Sequence, residues 1–118
     1  MTSISSLRGS VVQTEVPMWS PLERVLGAAL VGWFMWMHEI RLEDGTRLDA
    51  YKHIITRRYL HLTRNCTAYA PLVDSAYRPM GLLVAVEGVF EGWEKASPPV
   101  DQLLLLRSVV EGIHQCAA

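Results

Sequence analysis

From Val25 to Met37 the chain reads VLGAALVGWFMWM, an uncharged apolar run closed by Glu23 and Arg24 on one side and by His38, Glu39 and Arg41 on the other. No other stretch restricts the fold as much. A bilayer span needs roughly 17–25 apolar residues, so this run is too short to cross a membrane and has to be buried in a core or an interface. Just ahead of it, Ser20-Pro21-Leu22-Glu23 has the form of a capping box, with serine at the N-cap, proline at the first helical position and glutamate at the third. A helix is expected to start there. Along it Leu22, Val25, Leu26, Ala29, Leu30 and Trp33 fall on one stripe, while the face behind consists, after Arg24, of Gly27, Ala28, Val31 and Gly32. A helix apolar all round must be covered on both sides.

After Met37 the period changes from helical to two. Ile40 and Leu42 alternate with Glu39, Arg41 and Glu43 up to Asp44-Gly45, which marks a hairpin. A loop of Glu43-Asp44-Gly45 with Gly45 left-handed places Leu42 opposite Thr46 and Ile40 opposite Leu48, like beside like, and this register is the one expected. Further strands are expected at 46–53, 58–63 and 67–72, the last closed by Pro71. Two helices complete the pattern. One starts near Pro79, with Leu82, Leu83, Val86, Val89, Phe90 and Trp93 on its apolar face; the other opens at Ser97-Pro98-Pro99 and runs to about Gln115, with Leu104 inside its polar stripe.

These elements add up to an α+β fold: a four-stranded antiparallel meander with one N-terminal and two C-terminal helices packed on one face, in the order α-β-β-β-β-α-α. With 118 residues, half of them hydrophobic, the chain has material for one core. The expected division is a flexible N-terminal arm over residues 1–17, holding at most a short edge strand at Val11 to Val16, and a single domain over residues 18–118. The polar opening MTSISSLRGS lacks an apolar signal core, and Cys66 and Cys116 form no metal-ligand spacing, so they read as free thiols of a cytoplasmic protein.

A formal net charge of −1 excludes a globally basic nucleic-acid binder, so local clusters matter more than the total. Arg47, Lys52, Arg57, Arg58 and Arg64 stand between residues 47 and 64 against the single acid Asp49, interleaved with Tyr51 and Tyr59. Basic residues neutralise phosphates and tyrosines stack bases, so this meander is a candidate nucleic-acid surface, with Arg47, Lys52, Arg57, Arg58, Tyr59 and Arg64 as its contacts. Glu111 and His114 lie side by side at i,i+3 spacing near a helix C-terminus, where an imidazolium also suits the helix dipole. His38, His53 and His61 could meet at a metal only if strand alternation were broken, since the expected register puts His38 and His53 on opposite faces. Cys66 follows His61 across one turn, yet no orienting acid accompanies them, and no GxSxG, HExxH, Walker or GxGxxG sequence occurs.

The expectation is therefore a non-catalytic interaction module, without metal or cofactor, that self-associates as a homodimer or binds a protein partner. Gly27, Ala28, Val31 and Gly32 of the first helix, with Leu104, form the expected interface, because small apolar side chains let another backbone approach closely. Nucleic-acid binding by the meander is the alternative.

Overall fold

The hairpin expected around Asp44-Gly45 is the centre of a larger sheet than the sequence indicates. In the computed structural model, which describes residues 6–13 and 16–117, there are six strands: β1 (Leu7–Val12), β2 (Phe34–Leu42), β3 (Arg47–His53), β4 (Tyr59–Thr63), β5 (Ala68–Pro71) and β6 (Ala76–Met80). Each pairs antiparallel with the next, and β1 pairs with β6 through Leu7–Tyr77 and Arg8–Ala76, closing a barrel. The open four-stranded meander with helices on one face is thereby overturned. Both missing strands carry residues that disfavour strands, Gly9 and Ser10 in LRGSVV and Pro79 in AYRPM, and a proline within a run argues against a strand from sequence alone. Residues 7–12 of the expected arm are thus a barrel strand, whereas residues 1–5, 14 and 15 lie outside the described residues.

The hairpin itself has the expected register. Ile40 pairs with Leu48, the Leu42 amide donates to the Thr46 carbonyl at 2.8 Å, and the Gly45 amide to the Leu42 carbonyl at 2.8 Å. Gly45 has φ 93°, a conformation in which a Cβ would clash.

The first helix is shorter than its apolar pattern. It ends as α1 (Ser20–Leu26) at Gly27, whose φ 84° and ψ 156° are not helical, and resumes only as the single turn α2 (Ala28–Val31). Trp19, not Ser20, occupies the N-cap position, and no side chain caps the helix. Phe34 to Met37, read as the tail of the apolar run, begin β2 instead. Aromatic residues favour a strand, and Phe34, Met35 and Trp36 pair with His53, Lys52 and Tyr51. Two more helices follow, α3 (Leu82–Val89) and α4 (Val100–Ala117).

A bulge between Trp36 and His38 lets β2 serve two cores. Without it every second residue from Phe34 to Leu42 would face one side. With it, Phe34 and Trp36 face the helices while Ile40 and Leu42 turn into the barrel. There they meet Leu48 and Ala50, with Leu7, Met37, Tyr69 and Tyr77 packed around them. The barrel is narrow: a Cβ on Gly9 would lie 2.7 Å from Ile40 Cγ2 and 2.9 Å from Leu42 Cδ2, so only glycine fits there. The larger core lies outside the barrel wall, where Leu22, Leu26 and Leu30 of α1 and α2, and Val86 and Val89 of α3, cover Tyr51, Leu60 and Leu62. Leu103, Leu106, Val110 and Ile113 of α4 pack on that layer, as their helical spacing predicts.

Candidate functional site

The face opposite the core stripe is split by the break at Gly27. Gly27, Ala28 and Gly32 are exposed, whereas Val31 packs against the outer core and so does not belong to a free face. α2 lies against α4, and Trp33 Nε1 donates to Gln102 Oε1 across them at 3.0 Å. On α4 itself Leu104 is 54% and Leu105 41% exposed. Small residues in and beside α2 and two leucines on α4 are thus exposed on two helices that pack against each other.

The basic surface expected on the meander is divided. Arg47 is drawn into the β2–β3 hairpin, where Glu39 and Asp49 stand directly opposite each other, both buried. Facing carboxylates repel. The Arg47 guanidinium resolves this by reaching Asp49 Oδ1 at 2.9 Å and Glu39 Oε1 at 3.3 Å, while also donating to the Val16 carbonyl at 2.7 Å. Trp36 Nε1 donates to Asp49 Oδ1 at 2.8 Å, and Arg41 pairs with Glu39. Arg64 lies beyond the far end of β4, and its carbonyl accepts from Arg24. What remains together is the β3–β4 end: Lys52 sits 5.7 Å over the Tyr59 ring, next to exposed Arg57 and Arg58. Arg57 is held at φ 64° in a turn whose geometry His53 fixes.

His53 is fully buried. Its Nδ1 accepts the amides of Ile55 at 3.0 Å and Thr56 at 3.1 Å. The ring lies among Trp33, Phe34, Phe90 and Trp93, with centroids 5.0 to 6.2 Å away. Its Nε2 and the Trp93 Nε1 have no partner. Burial pushes the imidazole down to about 4, so it is neutral at pH 7. On the other face, Ala50 is paired with both His38 and His61, which keeps His53 apart from the other two, as strand alternation requires.

A second feature lies between β4 and β5. β4 and β5 pair only at His61–Tyr69 and Leu62–Ala68. Past His61 the strands separate, leaving Tyr59 and Leu60 without partners on β5, and α3 stands behind the gap. The result is a seam cleft of about 480 Å³. Tyr59, His61 and Tyr69 line it from the strands, and Val84, Gly88 and Val89 from the helix. At its rim Arg58 and Glu91 form an exposed pair at 3.8 Å. Tyr59 lies nearly parallel to His61, at 15° and 5.8 Å, and Tyr77 meets the imidazole edge-on at 5.6 Å. His61 is 6% exposed, and its Nδ1 has no hydrogen-bond partner. Burial first, and His38 second, push it down to about 4. The signal available in the sequence was Tyr59-Leu60-His61 in a strand, but the gap arises from the short β5, which only the barrel reveals.

The other constellations do not converge. Cys66 Sγ donates to the Pro21 carbonyl at 3.5 Å and borders a groove with Arg24, Val25 and Ile113, away from the cleft that His61 lines. The Cys116 side chain lies outside the described residues. Glu111 and His114, both exposed, border a hollow of about 420 Å³ between α3 and α4 with Glu87, and among the described residues no group of three or more metal-ligating side chains comes together. None of the described helices is long and apolar enough to cross a membrane. Comparison of the chain with models of protein families, with curated proteins and with solved structures finds no match.

Proposed function

We propose that the protein is a non-catalytic interaction module that self-associates through its helical layer. The observations that carry this reading are the exposed Gly27, Ala28 and Gly32 around α2 and, on the α4 against which α2 lies, Leu104 and Leu105 at 54% and 41% exposed. Exposed apolar residues that gather into one patch mark interfaces, and a symmetric homodimer is the commonest way a small chain covers them. Glycine and alanine at the centre allow close backbone approach, and the leucines supply burial at about 25 cal/mol per Å². Nucleic-acid binding has less support, because Arg47 is committed to Glu39 and Asp49 and Arg64 stands apart from the β3–β4 end.

Light scattering over a range of concentrations tests the proposal. The wild type is expected to run at twice the mass of the 13.3 kDa chain, and Ala28→Glu combined with Leu104→Glu to run as a folded monomer, since both positions are exposed within one chain. A wild type that stays monomeric at high concentration overturns it.

A further inference from the structure

We propose that the end of the barrel formed by the β3–β4 turn and the β5–β6 loop docks on the surface of an anionic lipid bilayer. Because neighbouring strands are antiparallel throughout, β2, β4 and β6 begin at the end where β1, β3 and β5 stop. Residues 54–58 and 72–75 are therefore loops on one end, beside the start of β2. Met35, Ile54, Ile55, Tyr59, Leu72 and Val73 are all exposed there, Val73 to 81%. At the opposite end the turns Glu43 to Thr46 and Arg64 to Thr67 hold no large apolar side chain at all. Single exposed apolar residues are ordinary, but their gathering on the loops of one end marks a surface of contact.

The turn that carries the two isoleucines is anchored from below. The buried His53 Nδ1 accepts the amides of Ile55 and Thr56, Thr56 Oγ1 donates to the Val89 carbonyl at 2.8 Å, and the Ile54 amide donates to the Trp33 carbonyl at 2.9 Å. Turns ordinarily use glycine, proline, asparagine, aspartate or serine. Here they are replaced by two isoleucines and by Arg57 at φ 64°, a region that disfavours a Cβ. The anchors fix the backbone against the sheet and α3, so Ile54 and Ile55 stand outside in an ordered turn, and docking costs correspondingly less conformational entropy.

Charge selects the occupant. Lys52 pairs with both Met35 and Tyr59, so a cation stands in a row between two exposed apolar side chains, 5.7 Å over the Tyr59 ring. Exposed Arg57 and Arg58 follow on the turn, and Arg8 reaches the Asp74 carbonyl at 2.7 Å. These four cations outnumber the acids beside them, Asp74 and Glu91, and the exposed Arg58–Glu91 pair at 3.8 Å is weak enough to exchange for a phosphate. Aliphatic tips that enter the acyl boundary, a tyrosine at headgroup depth and cations around them are what an anionic membrane surface accommodates. A nucleic acid would engage the cations and Tyr59 but would leave Ile54, Ile55 and Val73 in water.

Co-sedimentation of the full chain with vesicles tests this, one set made of phosphatidylcholine alone and one of phosphatidylcholine with phosphatidylserine. The chain is expected to bind the second set only, and less as salt rises. Lys52→Gln with Arg57→Gln should weaken binding roughly fivefold per charge, whereas Arg64→Gln at the opposite end should leave it unchanged. Ile54→Ser with Ile55→Ser should weaken it roughly tenfold or more. Val73→Ser, on the separate loop, should weaken it too, and decides the apolar contribution if the double serine variant does not fold. No binding to either set of vesicles overturns the proposal, as does equal binding to both. Equal losses in Arg64→Gln and the two glutamine changes would overturn it by showing that only total charge matters. Binding that keeps its strength in the serine variants, with tighter binding to single-stranded DNA, would overturn it in favour of a nucleic-acid surface.

Discussion

His53 and His61 show how far single residues can be read. Strand alternation alone places His53 on the face opposite Ala50, and that is where it lies. Its aromatic surroundings were not legible, because Trp33, Phe34, Phe90 and Trp93 come from distant parts of the chain. The physical outcome is nonetheless definite. Both imidazoles fall from an ordinary 6.5 to about 4 on burial. Between these values the unfolded chain binds more protons than the folded one, so stability rises with pH across that window. The contribution is complete above pH 6.5 and is lost as pH falls towards 4. At about 1.4 kcal/mol per unit, each histidine accounts for at most about 3 kcal/mol. Urea midpoints should therefore drop between pH 7 and 4.5, and drop less in His61→Phe than in the wild type. Equal drops in the two proteins would mean that carboxylates alone set the acid limit.

Among the elements, the β2–β3 hairpin was the most legible, because two local signals agree: the period of two, and a glycine where the loop needs positive φ. The end of α1 was the least. VLGAALVGWFMWM contains no charge or proline to punctuate it, so only its glycines mark the breaks, and aromatic residues that suit either element prolong the apparent helix. Tertiary pairing with β3 decided for the strand. The hairpin also holds the buried polar group on which it depends most. Asp49 accepts from both Arg47 and Trp36, and Asp49→Ala would leave the guanidinium and the indole N–H without that acceptor. Breaking one side of such a buried pair is expected to destabilise by about 3–5 kcal/mol. Replacing Arg47 and Asp49 together with methionine and leucine should lose less than the single change, a comparison that chemical denaturation makes directly. If the double variant is the weaker, the two residues do not act as a pair.

For the whole molecule, closure is the property that local patterns concealed. β1 joins β2 to β6, and the Leu7–Tyr77 pair that seals the barrel links residues far apart in the chain, so no window of sequence contains both halves of the signal. Gly9 is where closure can be tested. A side chain there must enter the barrel, against Ile40 Cγ2 at 2.7 Å, Leu42 Cδ2 at 2.9 Å and Tyr77 Cε1 at 3.0 Å. Ile40 and Leu42 cannot withdraw far, because they are themselves buried in the barrel core. Gly9→Val is therefore expected to push β1 off the barrel, destabilising by at least about 1–3 kcal/mol through overpacking and exposing the edges of β2 and β6. Amide exchange should then speed up in both strands, and the chain should aggregate more readily through the unpaired edges. The neighbouring Ser10 pairs with Arg41 and is exposed, so Ser10→Val adds the same side chain to the same strand without entering the barrel and should stay within about 0.5 kcal/mol of the wild type. Equal stability and equal exchange rates in the two variants would mean that β1 is not the strand that closes the barrel.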